Sequence, residues 1–167
     1  MSDLAALAAR LQVLEDVGAI ERLKAAYCAG CDDDHNPETV AALFVPDGVW
    51  SAVGFYDRRG HDEIKRHFQA VRDSGRMRTS AHMVSNPSIV VDGDRATGAW
   101  RYLMMYTNAR RPDAIRYFRI IGRYEDDFVR VDGEWRFAHL RTWAFEHNAY
   151  VSEDSKIRPP AEHNHRH

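Results

Sequence analysis

Two Asp-Gly steps, Asp92-Gly93 and Asp132-Gly133, constrain this chain more than any other feature. Each lies between two long runs in which apolar and polar residues alternate. Asp-Gly readily adopts the left-handed backbone that tight hairpin turns require. Alternation with a period of two marks a strand buried on one face. The pattern predicts four long strands, over residues 80–91, 95–107, 115–131 and 134–147. A hairpin joins the first two and another joins the last two, with a loop around residues 110–113 between the pairs.

Upstream the period becomes helical. Leu4, Leu7, Leu11 and Leu14 repeat at helix spacing over residues 4–17. Gly18 permits a break or bend, and a second helix then carries Ile20, Leu23, Tyr27 and Cys31 near one face. The run Asp32, Asp33, Asp34 and the Asn36-Pro37 step end that helix. Pro37 opens a short helix, PETVAALF, that stops before Pro46. Asp47-Gly48 turns the chain into a strand over residues 49–53, and Gly60 precedes a helix with Ile64, Phe68 and Val71 on its inner stripe. Helices first and hairpin-linked strands later argue for an α+β fold, a strongly curved antiparallel sheet with helices packed over its concave face. Residues 1–150 read as one domain. Residues 151–167 read as a C-terminal tail, mobile beyond Pro159.

A chain of 167 residues can bury a core without disulfides or structural metal. A net charge of −2 gives no basic field for nucleic acid or an anionic membrane. No apolar run approaches the roughly 20 residues that span a bilayer. The opening MSDLAALAARLQVLED mixes apolar and charged residues, unlike a secretory signal, so the chain reads as cytoplasmic. Cys28 and Cys31 form a C-x-x-C, but no second pair completes a zinc site, and a helix precedes them. They read as reduced helix cysteines, with redox or metal chemistry as the alternative. The sequence has no H-E-x-x-H, no G-x-G-x-x-G and no phosphate loop, so neither metal nor cofactor is expected.

A curved sheet has a concave face, and concave apolar surfaces bind small molecules. Alternation places Gly98, Trp100, Tyr102, Met104 and Tyr106 on one side of the second long strand. It does the same for Phe118, Ile120 and Gly122 on the third, and for Ala138, Leu140, Thr142 and Ala144 on the last. Such residues line a cavity, or else form plain core or an oligomer interface. Asp32 closes a helix and His82 opens a strand. A carboxylate on the donor side of a neutral imidazole fixes its tautomer and leaves the other nitrogen free as a base. Tyr27, one helix face away from Asp32, can donate a hydrogen bond. His61 and His67 fall on the polar side of a surface helix, and His139 and His147 alternate with the inward residues of the last strand. His163, His165 and His167 can hold metal adventitiously. Trp135, Phe137, Trp143 and Phe145 offer apolar surface for a homodimer or homotrimer.

The segments IERLKAAYCAGCDDD, ALFVPDGVW, HMVSNPSIVVDGDRATG and GRYEDDFVRVDGEWRFAHLR, in this order and spacing, resemble the SnoaL-like branch of the NTF2-like superfamily. The resemblance spans residues 10–147 and implies a cone-shaped fold. Lyases of this family, dehydratases and a dehydrochlorinase among them, remove a proton and a leaving group from neighbouring carbons with an Asp–His dyad. That implies His82 as base, Asp32 as its orienter and Tyr27 as an assisting group. It also implies a substrate pocket with Tyr102, Met104, Phe118, Leu140 and Thr142. Where related dehydratases keep another acid or imidazole, this chain has Trp100, Tyr102 and Met104, and Tyr102 is the replacement donor. The implied activity is a cofactor-independent lyase, of dehydratase type, or an isomerase acting on a small apolar or polycyclic molecule. The alternative is a non-catalytic ligand-binding or assembly module of the same fold, including a role like a dioxygenase β subunit. The distance between Asp32 and His82 separates the two.

Overall fold

One helix, α1 (Ser2–Asp32), runs straight through Gly18, where a break was expected. An interior glycine costs a helix only about 1 kcal/mol relative to alanine. Here the flanking turns are anchored well enough to absorb that. Asp16 accepts both Arg130 guanidinium nitrogens, at 2.7 and 2.8 Å, and the Trp135 indole N–H at 3.1 Å. Ile20 is fully buried one turn later. This computed structural model describes residues 2–77, 79–108 and 116–151. The loop expected at residues 110–113 and the tail from residue 152, with its three histidines, lie outside the described residues. From residue 3 to residue 15 every side chain of α1 is exposed, so the Leu4, Leu7, Leu11, Leu14 stripe faces solvent.

Asp34 and His35 take left-handed backbone, with φ of 51° and 53°, and the Asn36 N–H reaches back to the Gly30 carbonyl at 3.0 Å. That closes α1 and turns the chain into α2 (Pro37–Ala42). Asn36 caps α2 by accepting the Thr39 N–H at 3.2 Å, with Pro37 in the first turn, where its missing N–H is harmless. Strand β1 (Phe44–Ala52) begins earlier than expected and runs through Pro46. Its ladder to the last strand breaks between Phe44 and Val49, so Pro46 and Asp47-Gly48 fall where no ladder donor is required. A short strand, β2 (Tyr56–Arg59), had no sequence signal strong enough to be expected. Helix α3 (Gly60–Asp73) follows and buries Ile64 and Phe68.

The four long strands form as expected: β3 (Thr79–Asp92), β4 (Arg95–Asn108), β5 (Arg116–Val131) and β6 (Glu134–Val151). Gly93 and Gly133 turn their hairpins with φ of 59° and 81°. The sheet order is β2-β1-β6-β5-β4-β3. It is curved and unclosed, with the helices packed over it. It is not wholly antiparallel, because β1 pairs parallel to β6. On β4 the even residues Gly98 to Tyr106 are all buried, as alternation requires.

Strand β6 breaks the alternation twice. Asp127 pairs with His139 and Phe128 with Phe137, which leaves Ala138 as an extra residue. Ile121 pairs with Glu146 and Gly122 with Ala144, which leaves Phe145 as another. Each bulge exchanges the inner and outer faces. Trp135 and Phe137 therefore lie in the core and cannot supply an oligomer surface. Trp143 and Phe145 stay on the outer side, beneath the guanidinium groups of Arg123 and Arg101 at 4.7 and 5.6 Å. His147 turns to the inner side, contrary to simple alternation, and meets the Tyr106 hydroxyl at 2.8 Å.

Candidate active site

A cavity of about 210 Å³ opens between the end of α1, helix α3 and the inner face of the sheet. Its walls are mainly aromatic and aliphatic, with Tyr27, Trp50, Phe68, Tyr102, Met104 and Tyr124 prominent. Among the described residues no Lys or Arg lines it.

Asp32, the last residue of α1, reaches the start of β3. One carboxylate oxygen lies 2.6 Å from His82 Nδ1 and accepts the Ser80 hydroxyl at 2.8 Å. The other accepts the His82 backbone N–H at 2.9 Å. Burial works against the Asp32 charge, but the hydrogen bonds from His82 and Ser80 outweigh it, so its pKa falls below the ordinary carboxylate value. A carboxylate at Nδ1 makes that nitrogen the N–H donor. Nε2 has no hydrogen-bond partner among the described residues, and the ring, only 6% exposed, lines the cavity.

Tyr27 also lines the cavity, but its hydroxyl is engaged. It accepts the Trp50 indole N–H at 2.9 Å. Burial pushes the Tyr27 pKa well above the ordinary tyrosine value. Both cysteines are free thiols, and burial pushes Cys28 up to about 11 and Cys31 higher still, so neither is a reactive thiolate. Tyr102 accepts the Thr142 hydroxyl at 3.3 Å, and its own O–H has no acceptor among the described residues.

Two further imidazoles complete the wall. His67 stacks on Trp50 with ring centroids 4.7 Å apart, and burial lowers its pKa to about 4. His35 is 4% exposed, stacks on Phe68 and presents its edge towards His82, with 6.3 Å between ring centroids in each case. Burial first, then the neighbouring His82, lowers His35 to about 4. Behind Tyr27 and Tyr124 lies a fully buried ion pair, Lys24 Nζ to Asp126 Oδ2 at 2.9 Å. The Lys24 ammonium also sits 3.3 Å from the centroid of the Tyr124 ring. Burial acts against both charges, lowering the Lys24 pKa and raising Asp126 to about 6.

Of the residues expected from sequence, Tyr27, His82, Tyr102, Met104 and Thr142 meet at the cavity, and Asp32 stands directly behind His82. Trp100, Phe118 and Leu140 do not line it. Trp100 packs deeper, against Phe128 and near Lys24. Leu140 is core, and Phe118 stacks on Tyr106 at 4.8 Å, away from the cavity wall. His67 was expected on a polar face but lines the cavity. The spacing Ile64, His67, Phe68, Val71 places it on the inner stripe of α3, and that spacing was the available signal. Trp50, Tyr124 and His35 were also missed. Among the described residues no group of three or more His, Cys, Asp or Glu side chains is arranged to hold a metal ion.

The SnoaL-like domain profile matches residues 12–141, and the chain belongs to that family. No curated protein matches the sequence significantly. Among solved structures, a proposed scytalone dehydratase from Novosphingobium aromaticivorans is 28% identical with a TM-score of 0.71, covering 87% of this chain and 91% of that one. An NTF2-like protein with a cystatin-like fold from the same organism is 27% identical with a TM-score of 0.66, covering 87% and 92%. A hexachlorocyclohexane dehydrochlorinase from Novosphingobium barchaimii shares the fold at 20% identity, with a TM-score of 0.75, covering 90% and 99%. No helix among the described residues is long and apolar enough to cross a membrane.

Proposed function

We propose that this protein is a cofactor-independent lyase of the dehydratase type, or an isomerase, in which His82 removes a proton from carbon. The observation that carries this reading is the 2.6 Å contact between Asp32 and His82 Nδ1 on a ring that lines an apolar cavity. Asp32 orients the imidazole and offsets the charge that forms on it, while the unpartnered Nε2 acts as base. Tyr102 is the better assisting donor, because its O–H has no acceptor among the described residues, while the Tyr27 hydroxyl is buried and engaged by the Trp50 indole. Tyr27 then positions the Trp50 wall. The same contact favours an enzyme over a ligand-binding module, for which no base need be oriented. The substrate is small. An apolar cavity of about 150 Å³ accommodates benzene, so about 210 Å³ suits one ring with substituents or two fused rings.

The test is a panel of one- and two-ring β-hydroxy ketones, with enone formation followed by absorbance. Turnover by wild type should fall roughly 10²- to 10⁴-fold in His82→Gln. A loss of only a few-fold would exclude His82 as base. The chain also associates with itself in this reading, through Met83, Met105 and Phe145, which are exposed on its strands. Sedimentation of wild type against Phe145→Lys measures that association and separates dimer from trimer.

A further inference from the structure

His35 violates three expectations at once. Its backbone is left-handed, a conformation that side chains bearing a β-carbon seldom take. Its ring is almost wholly buried, yet neither nitrogen has a hydrogen-bond partner among the described residues, and Nδ1 is sealed from solvent. Its ring lines the same cavity as His82. Buried polar groups nearly always find a partner, so an orphaned one calls for an explanation. The turn that ends α1 directs this ring inward, although Asp34 beside it reaches outward to Arg72 at 2.9 Å.

We propose that His35 binds the substrate's oxygen, and that the substrate is an uncharged ring ketone. The proposal rests on the His82 reading given above. Among the described residues no Lys or Arg lines the cavity to receive a carboxylate or phosphate. The Asp32 carboxylate is already occupied by His82 and Ser80. A neutral imidazole carries one N–H, which suits a carbonyl oxygen. The two rings stand edge to face, 6.3 Å apart at 71°, and both line the cavity, so a ligand seated beside them can meet both. His82 Nε2 takes a proton from the carbon next to the carbonyl. The C–H electron pair becomes the new C=C bond, and the carbonyl π pair moves onto the oxygen, which the His35 N–H stabilises. The enolate then re-forms the carbonyl and expels hydroxide from the β-carbon. The proton on His82 joins that hydroxide as water, so His82 ends neutral and His35 keeps its proton throughout. His35 stays neutral at physiological pH because burial disfavours its charged form.

Indanone and indane differ only in the carbonyl and serve as probes, with Trp50 in the cavity wall reporting binding by fluorescence. Wild type should bind indanone about 3- to 10-fold more tightly than indane, the value of one net hydrogen bond. His35→Phe should abolish that preference while retaining indane. His35→Asn, which tolerates left-handed backbone and keeps a donor, should restore part of it. In protein with ¹⁵N-labelled histidine, indanone but not indane should shift the His35 ring nitrogens, a readout that needs no variant to fold. Equal affinity for the two probes, no His35 shift, or an unchanged preference in His35→Phe would overturn the proposal. Exchange of the indanone α-hydrogens for deuterium tests His82 separately. If His82→Gln keeps wild-type exchange but the His35 preference holds, the base assignment fails and the oxygen site stands. Normal exchange without the preference has the opposite meaning.

Discussion

Asp32 grips His82 twice, through the ring at 2.6 Å and through the backbone N–H at 2.9 Å. The end of α1 thereby sets both where β3 begins and which way its histidine points. Asp32→Asn should break this arrangement, because an amide offers only one acceptor oxygen. The ring then loses its fixed tautomer, and turnover should fall roughly 10²- to 10⁴-fold with little change in KM. Stability also becomes informative. The Asp32 pKa is depressed in the folded state, so its contribution is full above the ordinary carboxylate value and fades as pH falls through the depressed one. Asp32→Asn should remove that acid-sensitive part, as followed by urea unfolding across pH.

Lys24 and Asp126 test the base of the cone. Lys24→Met strips the buried Asp126 carboxylate of its partner, and Asp126 Oδ1 already lacks a hydrogen bond among the described residues. The cost should be about 3–5 kcal/mol. Lys24→Met combined with Asp126→Leu should recover most of it, because the pair's own desolvation also disappears. Chemical denaturation of the single and double variants measures both.

The depressed histidines predict a second pH effect. His35 and His67 are held near 4 by burial, while their unfolded counterparts titrate near 6.5. Between those values the unfolded chain binds protons that the folded chain refuses. Stability should therefore be full above about pH 6.5, decline as pH drops towards 4 and level off below. The part due to His35 is at most roughly 3 kcal/mol. His35→Phe should flatten the decline, and equal slopes in wild type and variant would show that the imidazole is not held neutral.

Tyr27→Phe removes the acceptor for the Trp50 indole N–H, which is buried. The expected cost is about 1–3 kcal/mol, with a shift in tryptophan emission. Activity should fall less than in His82→Gln, since Tyr27 positions a wall rather than moving the proton.

Much of the fold was legible because Asp92-Gly93 and Asp132-Gly133 punctuate regular alternation, and β4 keeps that alternation from Gly98 to Tyr106. The pairing of Asp32 with His82 was expected from the family resemblance, which sets a helix-closing aspartate against a strand-opening histidine. Gly18 misled because intrinsic propensity is weak beside the tertiary anchors at Asp16 and Ile20. Trp135, Phe137 and His147 misled because a bulge has no marker in the residues that form it. His35 was hidden for a different reason. Its orientation follows from two consecutive left-handed residues that are neither glycine nor asparagine. The parallel partnership of β1 with β6 joins segments far apart in the chain, and local pattern carries no record of it.

The bulges at Ala138 and Phe145 divide β6 into three successive reading frames. The first frame supplies core at Trp135 and Phe137, the second faces the cavity through Thr142 and Ala144, and the third brings His147 to Tyr106. Ligand-facing positions thus drift independently of the core below them. A substitution at Thr142 retunes the wall without touching Phe137. Deleting one residue between the bulges would instead turn that wall inside out, so along this strand the protein tolerates replacement far better than a change in length.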